Sequence, residues 1–243
     1  MLVMSERISD HLPKTEKYIP KQRLWYIRAK EVIISSGSIE RPLVFGNNDT
    51  PGVMLSSAAK EYLKIYGVLV GKKPLVFTNN DSGYETAIEF KKNGIDPIVL
   101  DTRKDPNSEI IKEAKALNIN IKPSYVVVAA KGYKKVNSAD IAKISHDKKN
   151  ITNIENIKCD CICVSGFWTP TIHLASQSGN KTKFNEEIDS FIPSQPKQKE
   201  TTLGSANGIF TLEETLKTSF EKGNELSKQI TNKENKVSVP AFV

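Results

Sequence analysis

Between residues 74 and 130 the chain alternates short, almost wholly apolar runs with stretches whose apolar residues recur every three to four positions. The runs are 74–77 (PLVF), 98–100 (IVL) and 125–130 (YVVVAA). A short apolar run bounded by turn formers is the pattern of a strand buried on both faces. Residues 78–83 (TNNDSG) form a polar turn, and 84–93 have the spacing of an amphipathic helix with Asp81 or Ser82 as cap and Gly94 as stop. The second run ends at Asp101. Strand, turn, helix and strand in these 28 residues make a βαβ unit with parallel strands and a right-handed crossover. A helix over 108–117 and the strand over 125–130 are expected to continue it.

The flanks carry the same two periods less regularly. Residues 23–34 (RLWYIRAKEVII) alternate and then become continuously apolar, which predicts two strands, the second buried, ending in Ser35-Ser36-Gly37. After an Arg41-Pro42 turn comes a loop of turn formers at 46–52 (GNNDTPG). Residues 56–66 have helical spacing (Ala59, Leu63, Tyr66), with Gly67 as stop. Beyond Lys131, residues 133–144 read as a strand or hairpin and 146–158 as a polar loop. Residues 159–164 read as a buried strand entering Ser165-Gly166-Phe167-Trp168. A short helix is expected over 171–176. A long connection holding Pro193 and Pro196 leads to Gly204-Ser205-Ala206-Asn207-Gly208. Thr211 and Glu214 then form a capping box for a helix reaching about residue 230, and the tail beyond 231 reads as polar and loose. No internal repeat is present.

Composition narrows the class. With 243 residues, 38% hydrophobic and 26% charged, the chain suits one large α/β domain or two smaller ones. No apolar run approaches the roughly 20 residues of a membrane span, and the N-terminus lacks an export pattern, so a cytoplasmic protein is expected. The net charge of +7 comes from lysines spread along the whole chain without an arginine-rich stripe. That argues against nucleic acid and leaves an anionic cofactor or an acidic partner subunit as beneficiaries. Cys159, Cys161 and Cys163 alternate, so one strand face would carry all three thiols about 6.6–7 Å apart. That spacing suits neither a disulfide nor zinc, and free thiols packed in a core are expected. No metal site and no catalytic residue are expected on this chain.

The βαβ turn can be compared with a dinucleotide cradle. There, glycines admit the pyrophosphate to the helix N-terminus, and an acid about 20 residues on holds the ribose. Asp101 follows Asp81 by 20 residues and ends the second strand. Thr78 and Asn80 stand at the first two glycine positions and only Gly83 matches the third. Thr78, Asn79, Asn80, Asp81, Gly83 and Asp101 are therefore candidate cofactor contacts in a degraded cradle. A scaffold, or contact with one face of a flavin, is expected ahead of a grip on a whole dinucleotide.

Five segments, in one order, carry a family resemblance: 22–45 (QRLWYIRAKEVIISSGSIERPLVF), 51–67 (PGVMLSSAAKEYLKIYG), 76–84 (VFTNNDSGY), 164–179 (VSGFWTPTIHLASQSG) and 204–211 (GSANGIFT). Together they resemble the α subunit of heterotetrameric sarcosine oxidase, from about Ser9 to the closing Val243. The octopine, nopaline and cyanide-forming amine dehydrogenase subunits are less similar. The resemblance implies an α/β fold of the FAD/NAD(P)-binding, two-dinucleotide-binding type, a Rossmann-like βαβ core with part of a second nucleotide-binding domain. It implies a complex with β, γ and δ subunits that demethylates sarcosine oxidatively to glycine, releasing hydrogen peroxide and passing the one-carbon unit to tetrahydrofolate. NAD would be bound in the α subunit, FAD in the β subunit, and FMN at their interface, covalently attached on the β side. The expected divisions are a remnant of the first dinucleotide-binding domain (1–42), an inserted Rossmann-like domain (43–158), a return to the first domain (159–231) and a tail (232–243). The family's N-terminal glycine-rich turn and C-terminal folate-binding domain have no counterpart in this sequence, so it reads as a central portion.

Carried over position by position, Ser35, Ser36 and Gly37 match the small-residue turn where the chain leaves the first domain. Ser165, Gly166 and Trp168 match the strand end where it returns, with Phe167 where a second glycine is expected. Gly204, Asn207 and Gly208 match the last loop before the final helix, whose N-terminus can face a pyrophosphate or flavin edge. Arg41 is a candidate for a phosphate or a salt bridge between domains, Trp168 for a ring stack or packing between subdomains, and His173 for an acid or base near a flavin or a structural hydrogen bond. His11 and His146 read as solvated loop residues. No Cys-x4-Cys pair occurs, which excludes a disulfide reductase of the same fold. The competing readings are a free-standing NAD(P)H-dependent flavoprotein oxidoreductase using the Asp101 turn, and a non-catalytic fragment inactive without partners.

Overall fold

The computed structural model describes residues 1–145, 147, 149–152 and 154–231. His146 and the tail beyond 231 lie outside the described residues. The chain divides into two compact units, residues 1–38 with 170–243, and residues 39–169. The sequence reading places its divisions after 42, 158 and 231.

Unit 1 opens with a hairpin of β1 (Leu2–Arg7) and β2 (Gln22–Ile27), antiparallel from Leu2 opposite Ile27 to Arg7 opposite Gln22. Next come β3 (Val32–Ile34) and the crossing strand β4 (Ser38–Glu40).

Unit 2 then runs β5 (Val53–Leu55), α1 (Ser56–Tyr66), β6 (Pro74–Thr78), α2 (Ser82–Lys92), β7 (Ile98–Asp101), α3 (Glu109–Ala116) and β8 (Asn120–Pro123). It continues through β9 (Tyr125–Lys131), β10 (Ser138–Lys143), β11 (Glu155–Ile157) and β12 (Cys161–Ser165) to the second crossing strand β13 (Trp168–Pro170). The crossing strands pair with each other.

Back in unit 1 are α4 (His173–Gln177), β14 (Lys181–Asn185), β15 (Ser190–Gln195), β16 (Glu200–Thr202), a 3-10 turn at Gly204–Asn207, and α5 (Leu212–Thr231).

The core of unit 2 is a five-stranded sheet in the order β5-β12-β6-β7-β8, parallel at every pairing. Alternate residues of its strands serve opposite layers. Leu75, Phe77, Leu100, Ile162 and Val164 pack with Val127, Ala130, Val136, Ala139 and Ile141 of an antiparallel sheet, β11-β10-β9, and its connections. Val76, Val99, Cys161 and Cys163 pack on the other side against Ala59, Tyr84, Ala87, Ile88, Phe90, Ile111 and Ala114 of the three helices. The strands read as continuous apolar runs because both faces are covered.

Several expectations change. Tyr125–Lys131 does not extend the parallel sheet; it pairs antiparallel with β10, and Asn120–Pro123 is the strand that extends it. Asn120, Lys122 and Pro123 hide that strand from a hydropathy reading. The polar loop contains β11, and the connection before Gly204 contains β15 and β16. Cys159 precedes β12 and packs with the opposite layer from Cys161 and Cys163, so the thiols do not share one face.

Unit 1 has little interior of its own. β3 and β16 form a two-stranded parallel pair, and β14 and β15 form a hairpin closed by Phe184 and Phe191 edge to face. Its buried apolar residues are Ile34, Ala175, Ile192, Ala206 and Leu226. The β1–β2 hairpin leaves Leu2, Val3, Met4, Leu24, Trp25, Tyr26 and Ile27 exposed.

Candidate functional site

In an open parallel sheet, ligands sit beyond the carboxyl ends of the strands where the chain order reverses. In unit 2 that point lies between β6 and β12. From β6 the chain moves outward to β7 and β8, and it returns through the antiparallel sheet to β12 on the other side. Thr78, Asn79 and Asn80 leave β6 there, opposite Ser165 and Gly166 at the end of β12.

The turn is filled by its own side chains. Thr78 Oγ1 donates to the Asn80 carbonyl at 2.8 Å and accepts from the Asn80 amide at 3.1 Å. Asn80 Oδ1 accepts the Ser82 amide at 2.9 Å, at the start of α2, which is the service a phosphate oxygen renders in a working cradle. Asn80 Nδ2 donates to the Ser165 carbonyl at 3.1 Å and to Asn79 Oδ1 at 2.9 Å. The Asn79 amide donates to the Ser165 carbonyl, and Trp168 Nε1 donates to Ser82 Oγ at 2.9 Å. Asn80 is 6% exposed, so this side chain is a plug rather than a ligand arm. Gly83 keeps the third glycine's role, because a Cβ there would lie 2.6 Å from Thr78 Cβ.

Asp101 is fully buried and already engaged. Tyr84 Oη donates to its Oδ2 at 2.8 Å, and Arg103 reaches both carboxylate oxygens through Nε and Nη2 at 2.9–3.2 Å. Arg103 Nη1 also pairs with Asp81 at 2.8 Å. Burial raises the Tyr84 phenol pKa, and the hydrogen bond to Asp101 raises it further. For Arg103 burial favours loss of the proton, yet the hydrogen bonds to Asp101 and Asp81 prevail and raise its pKa. Sequence reasoning missed both partners. Arg103, two residues past the acid, was the signal available, because a cation so placed can close on the carboxylate.

At the other end of this junction the Arg41 amide donates to the Phe167 carbonyl at 2.8 Å, and its Nε donates to the Gly166 carbonyl at 3.3 Å. A Cβ on Gly166 would meet the Arg41 carbonyl at 2.6 Å. Phe167 has φ +82°, the left-handed geometry that favours glycine, at the position where a glycine was expected. Glu40 is also buried. Its Oε2 accepts the Ser57 amide at the start of α1, and its Oε1 has no partner among the described residues.

The unit 1 candidates form a second group, more open. Ser36 Oγ donates to the Thr171 carbonyl at 2.8 Å, and the Thr171 amide donates to the Gly37 carbonyl at 2.9 Å. Ser35 and Ser36 are exposed, and a Cβ on Gly37 (φ +75°) would meet nothing nearer than Ser205 Oγ at 4.0 Å. Gly204 and Gly208 have positive φ and bracket the 3-10 turn that holds Asn207. The Leu203 amide donates to the Ile34 carbonyl, which brings the two segments side by side. His173 is exposed on α4, and His11 lies 3.7 Å from Asp10. Among the described residues no group of His, Cys, Asp and Glu suits a metal ion, and no helix is long and apolar enough to cross a membrane.

No family model matches the chain. Over 203 residues it is 34% identical to the sarcosine oxidase subunit alpha of Rhizobium meliloti (strain 1021), covering 83% of this chain and 19% of that protein. Over 207 residues it is 30% identical to the sarcosine oxidase subunit alpha of Corynebacterium sp. (strain P-1), covering 84% and 21%. The resemblance carried by the five segments is thus the one found, and the chain spans about a fifth of the length of the curated relatives it matches. Among solved structures it is similar to thioredoxin reductase of T. acidophilum, with a TM-score of 0.59 at 17% identity, over 77% of this chain and 61% of that one. It is also similar to the HOCl-induced flavoprotein disulfide reductase of Escherichia coli, with a TM-score of 0.60 at 13% identity, over 87% and 46%. At such identities the likeness is one of fold, the two-dinucleotide-binding α/β type. The cysteines here are only Cys159, Cys161 and Cys163, without a Cys-x4-Cys spacing.

Proposed function

We propose that this chain is the nucleotide-binding-fold portion of the α subunit of a sarcosine oxidase-type complex, and that its inserted unit works there as a scaffold. The 34% identity over 203 residues to a sarcosine oxidase subunit alpha supports the oxidoreductase reading. The scaffold role rests on Asn80, whose amide occupies the helix start that a pyrophosphate would need. Asp101, neutralised by Arg103, offers the ribose no free carboxylate. The residues of unit 2 therefore do not fit a dinucleotide.

Unit 1 fits better. The turn of Ser35, Ser36 and Gly37 leaves room for a cofactor edge, since a Cβ on Gly37 would meet nothing nearer than Ser205 Oγ at 4.0 Å, whereas Gly204 and Gly208 are closed in by Thr215, Ile188 and Ile192. In this reading NAD lies against unit 1, FMN at the interface with a β-type subunit, FAD within that subunit, and tetrahydrofolate elsewhere in a complex completed by γ- and δ-type subunits. The complex is cytoplasmic and oxidises sarcosine to glycine with release of hydrogen peroxide. This chain's residues position cofactors and hold the fold, and none of them acts as acid, base or nucleophile.

The test is reconstitution with β-, γ- and δ-type sarcosine oxidase subunits. Sarcosine-dependent peroxide formation is expected to require this chain. Equal activity without it, or none with the full set, overturns the reading. In the assembled complex, NAD retention should fall when Gly37→Val adds bulk to the open turn. It should not change when Asn79→Asp adds charge to the filled one, where the carboxylate still accepts from Asn80 Nδ2.

A further inference from the structure

We infer that Asn80 and Arg103 form a built-in closure that keeps dinucleotides out of unit 2, so that removing the Asn80 side chain opens a binding site there. The inference deepens the scaffold reading and rests on it. The backbone of the turn is still that of a ligand site. It stands where the strand order of the sheet reverses, keeps the glycine that α2 needs against β6, and has β7 ending on an acid. Side chains alone shut it.

The helix start is closed first. Asp81 stands at the N-cap of α2, yet its side chain caps no amide there. Its carboxylate pairs with Arg103 instead. Asn80, one residue earlier, supplies the acceptor through Oδ1, 2.9 Å from the Ser82 amide. A helix start satisfied by its own chain has one amide fewer to offer an anion. Asn80 is fixed in place by Nδ2, which donates to Asn79 Oδ1 and, across the junction with β12, to the Ser165 carbonyl. Thr78 takes no part in this closure. Its side chain lies against Gly83 and holds the turn through the Asn80 backbone.

A different group closes the ribose side. Arg103 pairs through Nη1 with Asp81 at the start of α2 and through Nε and Nη2 with Asp101 at the end of β7. One guanidinium therefore spans from the pyrophosphate position to the ribose position. A dinucleotide would have to displace an amide bonded on two sides and a cation bonded to two carboxylates. These groups copy the bonds a ligand would make, so the unit keeps its shape without one. In a complex whose dinucleotide belongs to unit 1, a closed unit 2 does not compete for it.

Trp168 reports on this turn, because its indole N–H donates to Ser82 Oγ at the first residue of α2. Trp25 is the other of the chain's two tryptophans, so the complete chain carrying Trp25→Phe gives a signal from this junction alone. The probes are inorganic pyrophosphate and ADP. In that parent chain neither should change Trp168 emission at about 1 mM. Asn80→Gly vacates the helix start and should bind pyrophosphate at least about tenfold more tightly. ADP should bind this variant within about tenfold of pyrophosphate, because Arg103 still holds Asp101. A larger advantage for ADP would show that Arg103 yields and would overturn its part in the closure. Too small a gain for pyrophosphate in the folded variant overturns the closure and leaves the scaffold reading standing. An emission change in the parent chain with either probe overturns both. Circular dichroism checks folding, and Asn80→Ala, which vacates the same space, replaces Asn80→Gly if that variant does not fold. Should neither fold even with pyrophosphate present, Asn80 is a structural group only and the closure is overturned.

Discussion

Phe167 stores strain at the end of β12. Its φ of +82° costs an L-residue with a Cβ roughly 1–2 kcal/mol, which glycine does not incur. We therefore expect an inversion of the usual order, with Phe167→Ala destabilising the chain more than Phe167→Gly. Urea unfolding midpoints measure it, and the ordinary order would show that packing of the ring outweighs the backbone. The thiols give a second residue-scale prediction. Burial first, then Cys161 and Asp160, pushes the Cys159 thiol up to about 12. The hydrogen bond with Cys161 and then burial push Cys163 up as well. The folded state thus favours the neutral thiol. The contribution is complete below the ordinary thiol value of 9.0 and is lost as pH rises from there toward about 12. Thermal unfolding should show a steeper alkaline loss in the wild type than in Cys159→Val. At neutral pH a thiol reagent should label none of the three until the chain unfolds, and prompt labelling would sink the idea that all three are core groups.

The β6–α2–β7 element stands on Asp101 and the groups that close on it. Tyr84→Phe removes one hydrogen bond to a buried carboxylate and should cost about 1–3 kcal/mol. Arg103→Ala leaves that carboxylate without its cation. Because a third of the Arg103 side chain is exposed, we expect about 2–4 kcal/mol, below the full cost of breaking a wholly buried pair. Both are read from denaturant midpoints, and a larger loss for Tyr84→Phe would mean that the phenol, not the guanidinium, holds the acid. This element also shows what a sequence can convey. Its strands, helix and stop are legible because apolar period and turn chemistry are local, and α1 begins and ends where its spacing and Gly67 place it. What Asn80 and Arg103 do was not legible, because filling a turn and neutralising an acid depend on side-chain direction. Strands β8 and β16 were hidden for another reason, since edge strands with polar residues lack the apolar run that marks central ones.

At the scale of the whole molecule, both hydrophobic core clusters lie within unit 2. Excised as residues 39–169, that unit should unfold in one cooperative thermal transition with helix and strand signals of its own. A gradual, featureless melt would show that it borrows stability from the remainder. Unit 1 keeps a large share of its apolar side chains exposed, and its two-stranded parallel pair is too small to be stable alone. Its composition gave no warning, because composition counts apolar residues without saying which of them find cover. The hydrogen bonds between Arg41 and residues 166–167 carry one more consequence. They bring the incoming and outgoing ends of the 131-residue insertion (39–169) to neighbouring-strand distance, about 5 Å. A segment bounded so closely is a cassette. It can be deleted, exchanged or replaced by a foreign reporter domain, and the host backbone has only one strand spacing to rejoin. The outer framework can thereby carry an insert whose turn is filled, as the Thr78–Asn80 turn is, without rerouting the chain.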